Sequence, residues 1–217
     1  MSDVFARLAG APVLAGTVRL PLYGRWVARL EVDADAAPSG PVALSLGAGA
    51  LSLAGAVYAG EARYGRWRGV VVGGRGGLHR ELPGRDYRNV PARLVAEGAL
   101  AEAGEALSPA SGAELAKPLP RWVRCAGPAV AAFEGVLEPL GLGWRVVPDG
   151  TVWAGTESWP ASKATGDLLD VGGSGLCRAY ALDAPLLLPG ETFDGARVGL
   201  VVHTLTGGAS RTNVWLH

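Results

Sequence analysis

Cysteine and lysine are nearly missing from this chain: two residues of each in 217, against 18 arginines. Cys125 and Cys177 lack a CxxC spacing, which excludes a disulfide framework and a thiolate zinc site and leaves buried free thiols as the expectation. Histidine is scarce too. His79, His203 and His217 form no HxH or HExxH pair, so neither a metal nor a cofactor is expected, and His203 reads as a hydrogen-bonded strand histidine. Charge of one sign is absent, since 20 basic residues balance 20 acidic ones. No global field gathers phosphates or an anionic bilayer, so neither sequence-specific nucleic acid nor membrane is an expected partner. Charged residues are only 18% and hydrophobic ones 49%, which excludes general disorder. The stretch around Asp3, Arg7, Gly10 and Pro12 has no continuous apolar run of the secretory type, so synthesis and retention in the cytoplasm are expected. Ala36 to Gly60 is uncharged and long enough to span a bilayer, but Val42, Leu44, Leu46, Leu51 and Leu53 alternate with small residues, a strand period.

Glycine (33) and proline (15) are plentiful without a three-residue repeat, so the surplus belongs in turns. Trp26, Ala28, Leu30 and Val32 alternate with Arg25, Arg29, Glu31 and Asp33, the pattern of a half-buried strand. Tyr-Gly-Arg-Trp occurs at Tyr23 to Trp26 and again at Tyr64 to Trp67, each copy placing Trp inward and Arg outward. Arg25, Arg29, Arg66 and Arg68 thus share outward faces. A solvated surface is one reading. Contacts with acidic groups of adjacent subunits, or the lining of part of a channel, are the other, because the guanidinium fork suits carboxylates and phosphates.

Val70-Val71-Val72 leads into Gly73-Gly74-Arg75-Gly76-Gly77, a glycine loop after a strand. Pro83-Gly84 stops any helix that a phosphate-binding loop would require, so the loop reads as a bend where backbones approach closely. Val90 to Leu107 carries helical spacing after Pro91, residues 108 to 120 read as irregular, and Pro128 opens a second helix ending at Gly141 or Gly143. Trp144 to Val147 and Thr151 to Ala154 flank a Pro-Asp-Gly turn as a hairpin. Leu186 to Leu188, Val198 to Leu205 and Arg211 to Leu216, with turns at Pro189-Gly190 and Gly207-Gly208, read as closing strands. The expected fold is mainly β (α+β): a small tube-like β-barrel or sandwich formed from both chain ends, with an inserted helix-helix-hairpin segment. The expected division is residues 1–87 for the first part of the barrel, 88–165 for the insert, and 166–217 for the closing strands.

No catalytic constellation emerges. Gly172-Gly173-Ser174-Gly175-Leu176 fails the GxSxG nucleophile pattern at its last position. Glu31, Asp33, Glu61, Asp149, Glu157 and Asp194 could pair in space as in a glycosidase, but sequence cannot bring two of them together. The seven tryptophans suit interface anchors better than sugar platforms. A non-enzymatic protein is therefore expected, with a carbohydrate-binding β domain as the alternative and a cell-wall hydrolase third.

Several ordered stretches resemble the baseplate hub proteins of contractile phage tails. They are Arg66-Trp67-Arg68-Gly69 through Gly74 with Gly77-Leu78, Glu102-Ala103-Gly104-Glu105, and Trp144 through Asp149-Gly150-Thr151-Val152-Trp153. Leu187-Leu188-Pro189-Gly190, Phe193-Asp194-Gly195, Val198, His203, Arg211-Thr212 and Trp215 continue the resemblance over most of the chain. It implies strands of tube-like barrels with an inserted helix and hairpin. It further implies a homotrimeric adaptor in the virion tail baseplate, made in the host bacterial cytoplasm. Its implied partners are the tail tube protein, the central spike protein, other baseplate subunits and further copies of itself. The chain is shorter than the larger hubs, which carry two tube-like domains.

Overall fold

The computed structural model describes residues 5–206 and 209–217, so the expected turn at Gly207-Gly208 lies outside the described residues. The first six strands are β1 (Ala6–Leu8), β2 (Ala11–Pro21), β3 (Val27–Asp33), β4 (Pro41–Leu46), β5 (Leu51–Arg63) and β6 (Arg66–Gly73). They join in the order β1-β4-β5-β6-β3-β2, and β1 pairs with β2 as well, which closes a six-stranded barrel. Alternation dictates its interior. Ala28, Leu30 and Val32 of β3 are buried with Leu44, Leu46, Leu53, Trp67 and Val71, while Arg29, Arg66 and Arg68 stay outside. The uncharged Ala36 to Gly60 segment is thus strands, and among the described residues no helix is long and apolar enough to cross a membrane.

The two tryptophans of the repeated tetrapeptide fill the barrel in the same way. Gly55 faces Gly73, and Gly60 faces Gly69, as cross-strand pairs of β5 and β6. A Cβ built on Gly60 or Gly69 would come within 2.6 or 2.2 Å of the Trp67 indole. One on Gly55 or Gly73 would come within 2.7 or 2.6 Å of Trp26. Each indole therefore lies in a slot that only a glycine pair leaves open.

After β6 come β7 (Glu81–Leu82), β8 (Arg85–Pro91), α1 (Ala92–Ala103), β9 (Pro118–Arg124), β10 (Gly127–Pro128), α2 (Ala129–Leu137), β11 (Gly143–Val146) and β12 (Val152–Gly155). Helix α1 stops four residues before the expected Leu107, because Gly104 takes the left-handed conformation (φ 83°) and its N–H bonds back to Ala101. The expected irregular stretch holds a 3-10 turn at Ala113–Ala116 and then β9, which pairs with β8. The β11–β12 hairpin is bonded to the barrel: the Gly24 N–H donates to the Trp144 carbonyl at 2.7 Å and the Ala54 N–H to the Pro148 carbonyl at 2.8 Å. Leu100, Phe133 and Leu137 of the helices share one apolar core with the barrel residues.

The chain closes with β13 (Gly166–Val171), β14 (Cys177–Leu182), β15 (Thr192–Phe193), β16 (Ala196–Thr206) and β17 (Ala209–Leu216). β16 pairs with β2 from Leu200↔Pro21 to Thr206↔Ala15, and β17, β14 and β13 follow outward, so both chain ends enter one eleven-stranded sheet. This is the expected mainly β architecture with a helical insert. The expected strand at Leu186 to Leu188 is absent. Pro185 and Pro189 bracket it, and Leu187 is buried as a plug. The thiols also depart from expectation: Cys125 is exposed in the β9–β10 loop and Cys177, at the start of β14, is half-buried.

His203 of β16 is fully buried, and its Nδ1 lies 2.9 Å from the Thr212 hydroxyl. Burial alone pushes its pKa down to about 4. Between pH 6.5 and 4 the unfolded chain therefore takes up a proton that the folded chain refuses, and stability falls as pH falls. The wild type is expected to lose up to about 1.4 kcal/mol per pH unit more than His203→Leu across that window. Urea titrations at pH 7, 5.5 and 4.5 check this, and parallel curves for the two chains would refute it.

Candidate functional site

The four arginines singled out from the sequence do not form one cluster. Arg25 precedes β3, is half-buried, and lies over the Tyr58 ring at 5.4 Å. Arg29 stands on the outer face of β3, opposite Thr17 of β2 and Val70 of β6, and makes no ion pair among the described residues. Arg66 and Arg68 belong together: both reach Glu31 of β3, at 2.7 and 3.1 Å. Hydrogen bonds from Arg66 and then Arg68 hold the Glu31 carboxyl below its ordinary pKa. Two cations thus share one carboxylate on the outer wall, in contact with water, where such pairs contribute little to stability.

That wall continues to the end of the β5–β6 hairpin. Arg63 pairs with Glu61 at 3.0 Å, and the Tyr64 side chain between the strands is wholly exposed. Tyr64 sits in the left-handed region (φ 52°), which a Tyr rarely adopts, and Glu61, Arg63, Tyr64, Arg66 and Arg68 line a shallow groove there. Exposure of Tyr64 was not legible from spacing, because the tetrapeptide repeat drew attention to its Trp and Arg positions.

The six carboxylates considered for acid–base work are scattered. Glu31 and Glu61 serve arginines, Glu157 pairs with Arg145, and Asp194 binds Arg178 and the Tyr180 hydroxyl. Asp149 accepts from the Thr151 N–H and hydroxyl in its own turn, and Asp33 faces Arg66 across β3 and β6. None is hydrogen-bonded to another. Gly172 to Gly175 is the tight connection of the β13–β14 hairpin, with the Gly172 N–H on the Cys177 carbonyl. Among the tryptophans, Trp26, Trp67 and Trp144 are buried, Trp159 stacks on His217 at 5.2 Å, and Trp215 is 36% exposed.

The glycine loop does hold an anion, and it is the chain's own. The Glu105 carboxylate accepts from the Arg75 N–H at 2.9 Å and from the Gly77 N–H at 2.7 Å, with Glu105 4% exposed. This ties the residue after the α1 cap to the end of β6. A second buried tie is Arg124, whose side chain is wholly covered and donates to the Pro83 carbonyl and to Glu102. Those bonds, with Arg85 beside them, hold the Glu102 carboxyl below its ordinary value.

No family model matches this chain. No curated protein matches it either. Solved structures do. A component of the type VI secretion system of Escherichia coli, itself described as structurally similar to the T4 bacteriophage tail proteins gp27 and gp5, superposes with a TM-score of 0.67 at 14% identity, over 97% of this chain and 76% of that one. A 43 kDa tail protein of prophage MuSo2 from Shewanella oneidensis gives 0.64 at 8% identity, covering 98% and 97% of the two chains. A tail protein from Neisseria meningitidis gives 0.63 at 10% identity over 98% and 95%. The chain has the fold of these tail proteins.

Proposed function

We propose that the chain is a structural, non-catalytic component of a phage tail or of a phage-derived contractile injection device. Within it the chain serves as a baseplate hub adaptor between the tail tube and the central spike. The observation that carries this reading is the shared fold over nearly the whole chain with two tail proteins and a type VI secretion component from three different bacteria. The scattered carboxylates, none hydrogen-bonded to another, fit a role in which surfaces, not a reactive cleft, do the work. In this reading copies of the chain associate as a trimer, in contact with tube, spike and other baseplate subunits in the virion tail. Co-expression with the neighbouring tube and spike proteins, followed by co-purification and electron microscopy, tests it. Recovery of a hub-sized ring bound to spike is expected, and a chain that binds neither protein would refute the reading.

The arginine wall enters the same reading. Arg66→Gln combined with Arg68→Gln is expected to weaken assembly at low salt, because the contacts are surface charges within reach of screening. The melting temperature of the isolated subunit should stay within about 2 °C, since exposed pairs add little. Assembly indifferent both to this pair of substitutions and to salt would reduce the wall to solvated surface. Arg25, stacked on Tyr58, should matter less than Arg66 in that measurement.

A further inference from the structure

The strand register sets arginines and neutral polar side chains side by side on the outer face of β3, β2, β16 and β17. Arg29 pairs with Thr17, Thr17 with Thr204, and Thr204 with Arg211, which makes one row across the four strands. In the adjacent row Arg19 pairs with Val202, and Val202 with Asn213. Alternation settles which side they take, since Val18, Val201, His203, Thr212 and Val214 are buried on the opposite face. The three arginines are exposed. Neither Arg19 nor Arg29 has an ion pair or a side-chain hydrogen bond among the described residues, and Arg211 reaches only Asp170, at 4.0 Å.

The charge on this face is positive and local. Strands β6, β3, β2, β16 and β17 carry Arg19, Arg29, Arg66, Arg68, Arg197 and Arg211 against Glu31 and Asp33. Glu31 is held by Arg66 and Arg68, Asp33 stands opposite Arg66, and Arg197 lies over the Trp159 ring. Arg19, Arg29 and Arg211 are what remains. The other carboxylates of the sheet stand at its margins: Glu61 near the β5–β6 turn, with Asp35 beside that turn, and Asp167 and Asp170 on β13. The chain as a whole is neutral, so attraction of an anion is confined to the middle of the face.

Arg, Thr and Asn side chains are the usual donors to phosphate oxygens, and such contacts carry no sequence information. From Arg29 to Arg211 the row crosses three inter-strand steps, about 14 Å. Along that length each strand of a duplex presents about four phosphates. An acidic protein surface would be the other anionic partner, but protein interfaces are anchored by buried aromatic and apolar side chains, and the row holds none. We propose that this face binds the phosphodiester backbone of double-stranded nucleic acid without reading its sequence, Arg19, Arg29 and Arg211 neutralising phosphates while Thr17, Thr204 and Asn213 donate to their oxygens. The contact goes beyond the tail reading and needs neither tube nor spike.

Fluorescence anisotropy of short labelled DNA duplexes of two unrelated sequences, titrated with the full chain at low and at physiological salt, tests it. Binding should be equal for the two sequences and fall steeply with salt. Arg19→Gln with Arg29→Gln and Arg211→Gln should weaken it about tenfold at low salt and flatten the log–log salt slope by roughly two to three. Thr17→Val with Thr204→Val should weaken it about threefold and leave the slope unchanged, because the hydroxyls carry no charge. Arg85→Gln with Arg88→Gln and Arg121→Gln removes the same charge from the β8–β9 pair and should stay within about threefold of wild type. Circular dichroism reports whether each variant folds, and Arg29→Glu alone, at an exposed position, carries the expected weakening should the triple variant fail to fold. A wild type that does not bind at low salt overturns the proposal, as does a β8–β9 variant that loses as much as the triple variant. Tenfold preference for one sequence overturns it as well. Labelled polyglutamate bound as tightly as DNA, and lost equally in the triple variant, would make the face a site for acidic protein and overturn it too. None of these outcomes touches the hub reading, because tube and spike binding is measured separately.

Discussion

Trp67→Ala is expected to lower the unfolding free energy by about 4 kcal/mol, the range for deleting a large aromatic side chain from a well-packed core. Trp67 is wholly buried, and its slot is bounded by backbone at Gly60 and Gly69, which cannot collapse into the space the indole leaves. The cost is therefore transfer and cavity together. Its ring N–H is buried without a hydrogen-bond partner, so Trp67→Phe, which removes that unpaired donor, should cost less than half as much. Gly69→Ala should also be costly from the other side of the contact, because its Cβ would meet both the indole and the Ala59 carbonyl at 2.5 Å. Urea denaturation followed by circular dichroism measures all three. A loss below about 1 kcal/mol for Trp67→Ala would contradict the packing described.

Glu105→Ala comes next, at roughly 3 kcal/mol. The carboxylate accepts the part-buried N–H of Arg75 and the buried N–H of Gly77, and removing it leaves the Gly77 donor with neither protein nor bulk water as a partner. Glu105→Gln keeps one acceptor oxygen and should lose about half as much. Gly77→Ala attacks the same junction sterically, since its Cβ would fall 1.9 Å from the Ala103 carbonyl at the end of α1. All three variants should loosen the insert before the barrel, so hydrogen exchange is expected to quicken first in α1. Uniform protection loss across α1 and β3 would instead place Glu105 in a single global unit.

The difference between what was legible in the sequence and what was not follows from burial. β3 was readable because one face is core and the other water, so Ala28, Leu30 and Val32 alternate with charged residues. β13 was not, because all six of its residues face solvent and no alternation is imposed on them. β8 was hidden because Pro83-Gly84 read as a break and Pro91 as the opening of the helix, whereas Pro91 ends the strand and caps α1 in one step. The glycine loop was correctly read as a close approach, since Gly77 abuts the α1 carbonyl at Ala103. Its anion, a carboxylate 28 residues further along, follows only from the fold. The arginine wall was legible as a face, but the division of labour within it was not. Alternation shows which side Arg25 and Arg66 take, whereas the Tyr58 ring and Glu31 that engage them arrive from other strands.

All six barrel strands lie within residues 6–73, while β16, which covers the other side of β2, begins at Ala196. During synthesis the barrel can close around Trp26 and Trp67 long before β16 leaves the ribosome, a delay on the order of ten seconds at bacterial elongation rates. Throughout that interval the β2 edge from Ala15 to Pro21 has no strand beside it. The nascent chain thus carries a finished barrel with one open edge, which a neighbouring chain can pair with until β16 arrives.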